Sequence, residues 1–248
     1  MRIAAVALGM AAAVVSTSAQ TPAMPMYRVD NFAPSTATGR AVTVHLNHGD
    51  LTAQNISLRM LLADAFAIQP DAIFGLDSAA LERHFDFRIA IELPEHMERG
   101  AETDARHRVL QAVIADRLKL VAHTKVEDLP VLAIQVAEGG IKFHFVTEHP
   151  DSSGINIANN RLNLDADSMS HLAHDLDDQV GRIVVDRTGL KGNYELDLTL
   201  PGSNGRSGAH QDWAALSKNM EQQAGLTLVE TTAPIQTLVV EHAELAAW

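Results

Sequence analysis

The strongest constraint on what this chain can fold into is that it reads as the same succession of segments twice. L-T-A-Q-N-I-S at 51–57, followed by L-R-M-L, is echoed by L-N-L-D-A-D-S at 162–168, followed by M-S-H-L, at an offset of 111 residues. Each pair is a strand running into a helix, with Ser57 and Ser168 at the N-cap, where a hydroxyl accepts from the orphan amides of the first turn. Phe85, Phe87, Ile89 and Ile91 alternate with Asp86, Arg88, Ala90 and Glu92, and Tyr194, Leu196, Leu198 and Leu200 do the same at an offset of 109. Period-two patterning of this kind predicts half-buried strands. Val109, Leu110, Val113 and Ile114, then Trp213, Leu216 and Met220, fall near helical spacing and predict a second helix in each copy. L-K-L-V at 118–121 matches L-T-L-V at 226–229, and L-A-I-Q-V-A-E at 132–138 matches L-V-V-E-H-A-E at 238–244, at offsets of 108 and 106.

The order of elements is the same in both series and the offset drifts smoothly, as small loop insertions would make it. The expected fold class is therefore α+β: two tandem homologous domains, 20–140 and 141–248, each a mostly antiparallel sheet with two helices packed on one face. Further strands at 27–32 and 141–146 lead into the two units. Gly139, Gly140 and residues 148–160 read as connecting loop, and 94–103 and 201–210 as matched long loops, the places where a rigid scaffold most often carries function.

The first 19 residues, with Arg2, an apolar run at 3–15 and the small residues Thr17, Ser18 and Ala19, read as an export signal, which makes the expected location periplasmic or secreted. The run is too short to span a bilayer, and no later segment approaches the roughly 20 apolar residues a span needs. With no cysteine in the chain, stability outside the cytoplasm has to come from packing. A formal net charge of −12 disfavours nucleic acid and anionic membrane surfaces as partners, leaving envelope proteins or an extracellular ligand.

Chemistry is harder to find. His171, His174, Asp175 and Asp178 fall at i, i+3, i+4 and i+7, a ligand-compatible spacing on one helical face. The apolar stripe of that helix, Met169, Leu172, Ala173, Leu176 and Val180, points the other way, so the His/Asp face is expected in solvent and no metal is assigned. Twelve histidines are otherwise scattered among polar neighbours. No G-x-S-x-G elbow, S-x-x-K pair, G-x-G-x-x-G turn or Walker loop is present, so no catalytic residue and no cofactor is assigned. The sharpest local pattern, V-V-D-R-T-G-L-K-G-N-Y-E-L-D-L-T-L at 184–200, reads first as a turn in which Gly189 and Gly192 supply unusual backbone angles and Asp186 or Thr188 caps it. Its functional alternative is a turn that presents Arg187 and Lys191 to an anion.

L-T-A-Q-N-I-S-L-R-M-L-L-A-D-A-F at 51–66, the run 110–140 and V-V-D-R-T-G-L-K-G-N-Y-E-L-D-L at 184–198 together resemble an uncharacterised, exported, soil-associated family known chiefly from acidobacteria. Y-R-V-D-N-F-A-P at 27–34 is similar to its leading strand, but departs from the family's aromatic–Glu–Val–Ala–Ser opening. Each half also resembles the short N-terminal domain of secretins and TonB-type proteins, through element order and the G-L-T-L helix exit at 225–228. These likenesses imply envelope protein contacts and transfer no catalytic residue. The resulting expectation is a non-catalytic binding or interaction module. A hydrolase acting on envelope polymers between the halves, or a ligand-sensing domain, are the alternatives.

Overall fold

A computed structural model describes residues 24–37, 41–146, 154–201 and 210–245. The expected export signal and most of the loop at 201–210 lie outside the described residues. The first half runs β1 (Tyr27–Pro34), β2 (Thr43–Asn47), β3 (Asp50–Ser57), α1 (Leu58–Phe66), a 3₁₀ turn (Pro70–Ala72), β4 (Ile73–Phe74), α2 (Ser78–Leu81), β5 (His84–Ile91), α3 (Arg99–Leu118) and β6 (Val121–Val136). The second runs β7 (His144–Val146), β8 (Gly154–Ala158), β9 (Arg161–Asp167), α4 (Met169–Val180), β10 (Val184–Asp186), β11 (Asn193–Thr199), α5 (Trp213–Ala224) and β12 (Leu226–His242).

The protein is a mixed α/β structure whose three four-stranded sheets are mostly antiparallel. The outer sheets have the orders β1-β5-β3-β2 and β7-β11-β9-β8, the same arrangement of successive strands. Ser57 and Ser168 cap α1 and α4 as expected, each hydroxyl accepting from the amide three residues on, Met60 and His171, at 3.2 Å. Phe85, Phe87, Ile89 and Ile91 are buried, as are Tyr194, Leu196, Leu198 and Leu200, so both alternating runs face a core.

Three sequence expectations need correction. Residues 154–158 are not loop but the edge strand β8, joined to β9 through Asn159 and Asn160, both at positive φ; loop-forming Asn-Asn here makes a two-residue hairpin turn. The stretch 94–103 is only partly loop, because α3 begins at Arg99. Leu118, in the first of the strands expected at 118–121 and 132–138, ends α3 instead, and from Val121 to Val136 the two run together as one long β6; those expected at 226–229 and 238–244 fall largely within one long β12.

The polar composition and two prolines between them concealed that continuity. β6 and β12 form an antiparallel ribbon in the third sheet, ordered β10-β6-β12-β4, with Pro130 opposite Thr232 and Pro234 opposite Asp128. The Leu132 amide and Ile134 carbonyl point outward to the 183–187 segment. Pro130 has the same parity, and so does Pro234 by register, so neither proline faces its partner strand and neither removes a ribbon hydrogen bond.

The ribbon also carries side chains across the expected boundary at 140. Leu238 and Val240 of β12 pack with Leu51, Phe85, Leu110 and Ile114 in the first core. Leu132 and Ile134 of β6 pack with Leu164, Leu172, Leu196 and Leu216 in the second. Between them Ala72, Val131, Ile183 and Ala233 form a small central cluster.

Gly225 ends α5 at φ +68, and a Cβ there would come within 1.9 Å of the Gly140 carbonyl oxygen. Lys119, which ends α3 in the same left-handed region, shows that the conformation alone is tolerable. The backbone contact is what demands glycine. Gly225→Ala is expected to cost on the order of 3 kcal/mol, against about 1 for an αL alanine without the clash, read from denaturant midpoints.

Candidate functional site

A concave site lies where the first half meets the second. α1 ends at Phe66, with Ala67 in the left-handed conformation, and the chain turns through Ile68, Gln69 and Pro70 toward the central ribbon. This end of α1, together with His107 of α3 and His174 of α4, lines a pocket of about 460 Å³. Its wall is mainly apolar: Met60, 46 % exposed, with Ala63, Ala67, Ile68 and Pro70. Asp64, Gln69 and the two histidines supply the polar groups. His107 Nε2 lies 3.9 Å from Asp64 Oδ1, a contact that is an ion pair only when the imidazole is protonated. Gln111 on the same face of α3 fixes the helix against α1 by donating to the Ala65 carbonyl at 2.7 Å.

Behind the pocket, Gln69 crosses between the halves and donates to the Val184 carbonyl at 3.2 Å. The Val184 amide donates to Asp177 Oδ1 at 2.6 Å. Asp177 is 5 % exposed. Burial pushes its carboxyl up to about 8, reinforced by the charges of Asp178 and Asp71 and opposed by the Val184 amide and Gln69. Burial therefore favours the protonated form of Asp177 near neutral pH, and its bond to the Val184 amide ties α4 to β10.

The sequence had placed attention elsewhere on α4. His171, His174 and Asp178 are exposed and Asp175 is half-buried, while the apolar stripe Met169, Leu172, Ala173, Leu176 and Val180 is buried. His171 pairs through Nδ1 with the Asp167 carboxylate, at the end of β9, and Asp175 has its carboxyl raised first by desolvation. Among the described residues no group of three or more histidine, aspartate or glutamate side chains is arranged to hold a metal ion. His174 is the one of the four that reaches the pocket.

Arg187 and Lys191 are both exposed in the turn between β10 and β11. That turn is built by Asp186, whose Oδ1 accepts from the Thr188 amide at 2.8 Å and hydroxyl at 2.7 Å, with Gly189 and Gly192 at φ +69 and +100. The Phe145 ring covers Gly192 so closely that a Cβ would lie 2.4 Å from it.

Asp64, Gln69, His107 and Asp177 were not singled out by sequence. For Asp177 a signal existed: it follows Ala173 by four and precedes Val180 by three, which puts it on the apolar stripe. Asp64 and His107 belong to different helices, and nothing local announces their proximity.

Fold and site together define a mixed α/β protein with two outer sheets of like strand order, a shared central ribbon and a mainly apolar pocket between α1, α3 and α4. The chain belongs to the family described as a protein of unknown function (DUF3738), whose model matches residues 59–243. No curated protein and no solved structure matches it. Among the described residues no helix is long and apolar enough to cross a membrane.

Proposed function

We propose that this chain is an exported, non-catalytic binding module of the cell envelope and that its ligand seats in the pocket between α1, α3 and α4. The observation that carries the reading is the composition of that pocket: an apolar wall with a few convergent polar groups, the usual make-up of a small-molecule site. Arg2 and the apolar run at 3–15 support export, and the likeness to the exported soil-associated family of acidobacteria and to the short secretin and TonB-type domain supports an envelope setting. The equal strand order of the outer sheets supports reading the halves as copies of one ancestral unit. A hydrolase between the halves needs a perturbed acid in contact with substrate. The most perturbed carboxyl, Asp177, is 5 % exposed and sits behind the pocket wall, which weighs against it.

Thermal-shift screening of the whole chain against envelope metabolites, peptides and glycans tests the reading. A stabilising compound whose apparent affinity falls about tenfold in Met60→Ser is the expected result, since the lost methylenes are worth about 1.4 kcal/mol. Turnover of a peptidoglycan or glycan substrate would replace this reading with the hydrolase one.

A further inference from the structure

The pocket carries the carboxylate of Asp64, 44 % exposed and with His107 beside it. Asp64 sits in the last turn of α1, a turn with no basic residue, so its carboxylate adds to the negative end of the helix dipole instead of opposing it. Here no lysine or arginine lines the pocket. Arg59, on the same helix, is engaged with Asp71 at 3.6 Å, Glu82 at 3.3 Å and the Pro70 carbonyl at 3.2 Å. His107 lies 3.9 Å from Asp64, and His174 also lines the pocket. On α4 the residues flanking His174 along its face are Asp175 and Asp178, which add to the negative potential.

Resting on the reading of this pocket as a ligand site, we propose that it takes an amphipathic amine, an alkylammonium group set against Asp64 and the C-terminal end of α1 with its apolar body along Met60, Ile68 and Pro70. A cation in that position pairs with a carboxylate that no lysine or arginine of the pocket lining meets, and the aliphatic wall removes the body from water. An anionic head group is disfavoured by Asp64 itself, and an uncharged one gains only the apolar burial.

The test is a calorimetric titration of the full chain at pH 7.5 with three matched probes: hexylamine, hexanol and hexanoate. Hexylamine is expected to bind about tenfold more tightly than hexanol, with hexanoate weakest. Asp64→Asn should bring hexylamine down to the hexanol level and leave hexanol unchanged, which separates the pocket from general attraction of amines to an acidic surface. Hexanoate binding as tightly as hexylamine, or hexylamine binding unaffected by Asp64→Asn, overturns the amine assignment while leaving the pocket as a ligand site. Absence of binding by all three, with the screened ligands also failing to depend on Met60, removes the pocket reading and this inference together.

Discussion

Asp177→Asn is expected to make the protein more stable at alkaline pH and to flatten its stability between pH 4 and pH 8. The carboxyl is raised from an ordinary 3.8 to about 8 in the folded chain, chiefly by desolvation. Below pH 4 it is protonated whether the chain is folded or not, and contributes no pH dependence. As pH rises from about 4 to about 8, the unfolded chain releases the proton while the folded chain retains it, so folding loses stability progressively across that window. Above pH 8 both states are ionised and the loss is complete. The span sets an upper bound of about 6 kcal/mol. Asparagine keeps the oxygen that accepts from the Val184 amide and resembles the protonated acid, so it should match the native protein within about 1 kcal/mol at pH 4 and exceed it by several at pH 9. Urea denaturation at pH 4, 6, 8 and 9 measures this. A native profile that is flat from pH 4 to 8 would show that burial does not favour the protonated form of Asp177.

Separated at residue 140, neither half is expected to fold alone, and mixing the two should restore the native circular dichroism. Residues 24–140 would lack Leu238 and Val240 from their core and leave Leu132 and Ile134 uncovered. Residues 141–248 would suffer the reverse. The ribbon of β6 and β12, paired from Leu226 with Val136 to His242 with Val121, would lose one strand in each fragment. Losing one buried leucine from a core typically costs 2 to 5 kcal/mol, and each half would lose two large aliphatics along with its ribbon partner, which exceeds the stability of a small domain. Leu238→Ala in the whole chain is the milder version: it should cost about 3 kcal/mol and loosen the first core, although Leu238 lies near the end of the sequence. A cooperative unfolding transition from either isolated half would refute the shared-core account.

Local physics was legible along the chain. Ser57 and Ser168 were recognisable as caps because capping needs only a hydroxyl and the next three residues, and the alternating runs at 85–91 and 194–200 faced inward as their period requires. The turn at 186–192 was readable for the same reason, since Asp186, Thr188 and the two glycines act within a few bonds of one another. The edge strand β8 was misread because Gly and Asn sit in hairpin turns as readily as in loops, and only pairing with β9 separates the two. The long ribbon was hidden because an exposed two-stranded segment has no apolar alternation to display, and its prolines are harmless only on the outward parity set by the register.

By itself the sequence determined what local rules determine: the mixed α/β class, the capped helix starts at Ser57 and Ser168, the inward faces of strands and helices, and the solvated His/Asp face of α4. The tertiary structure decided everything that depends on segments distant in the chain. It carried Leu238 and Val240 into the first core and Leu132 and Ile134 into the second, placed Asp64, His107 and His174 around one pocket, and buried Asp177 beside Val184 and Gln69. The physical reason is that periodicity and capping act over three or four residues, whereas burial and desolvation exist only once remote surfaces have closed on one another.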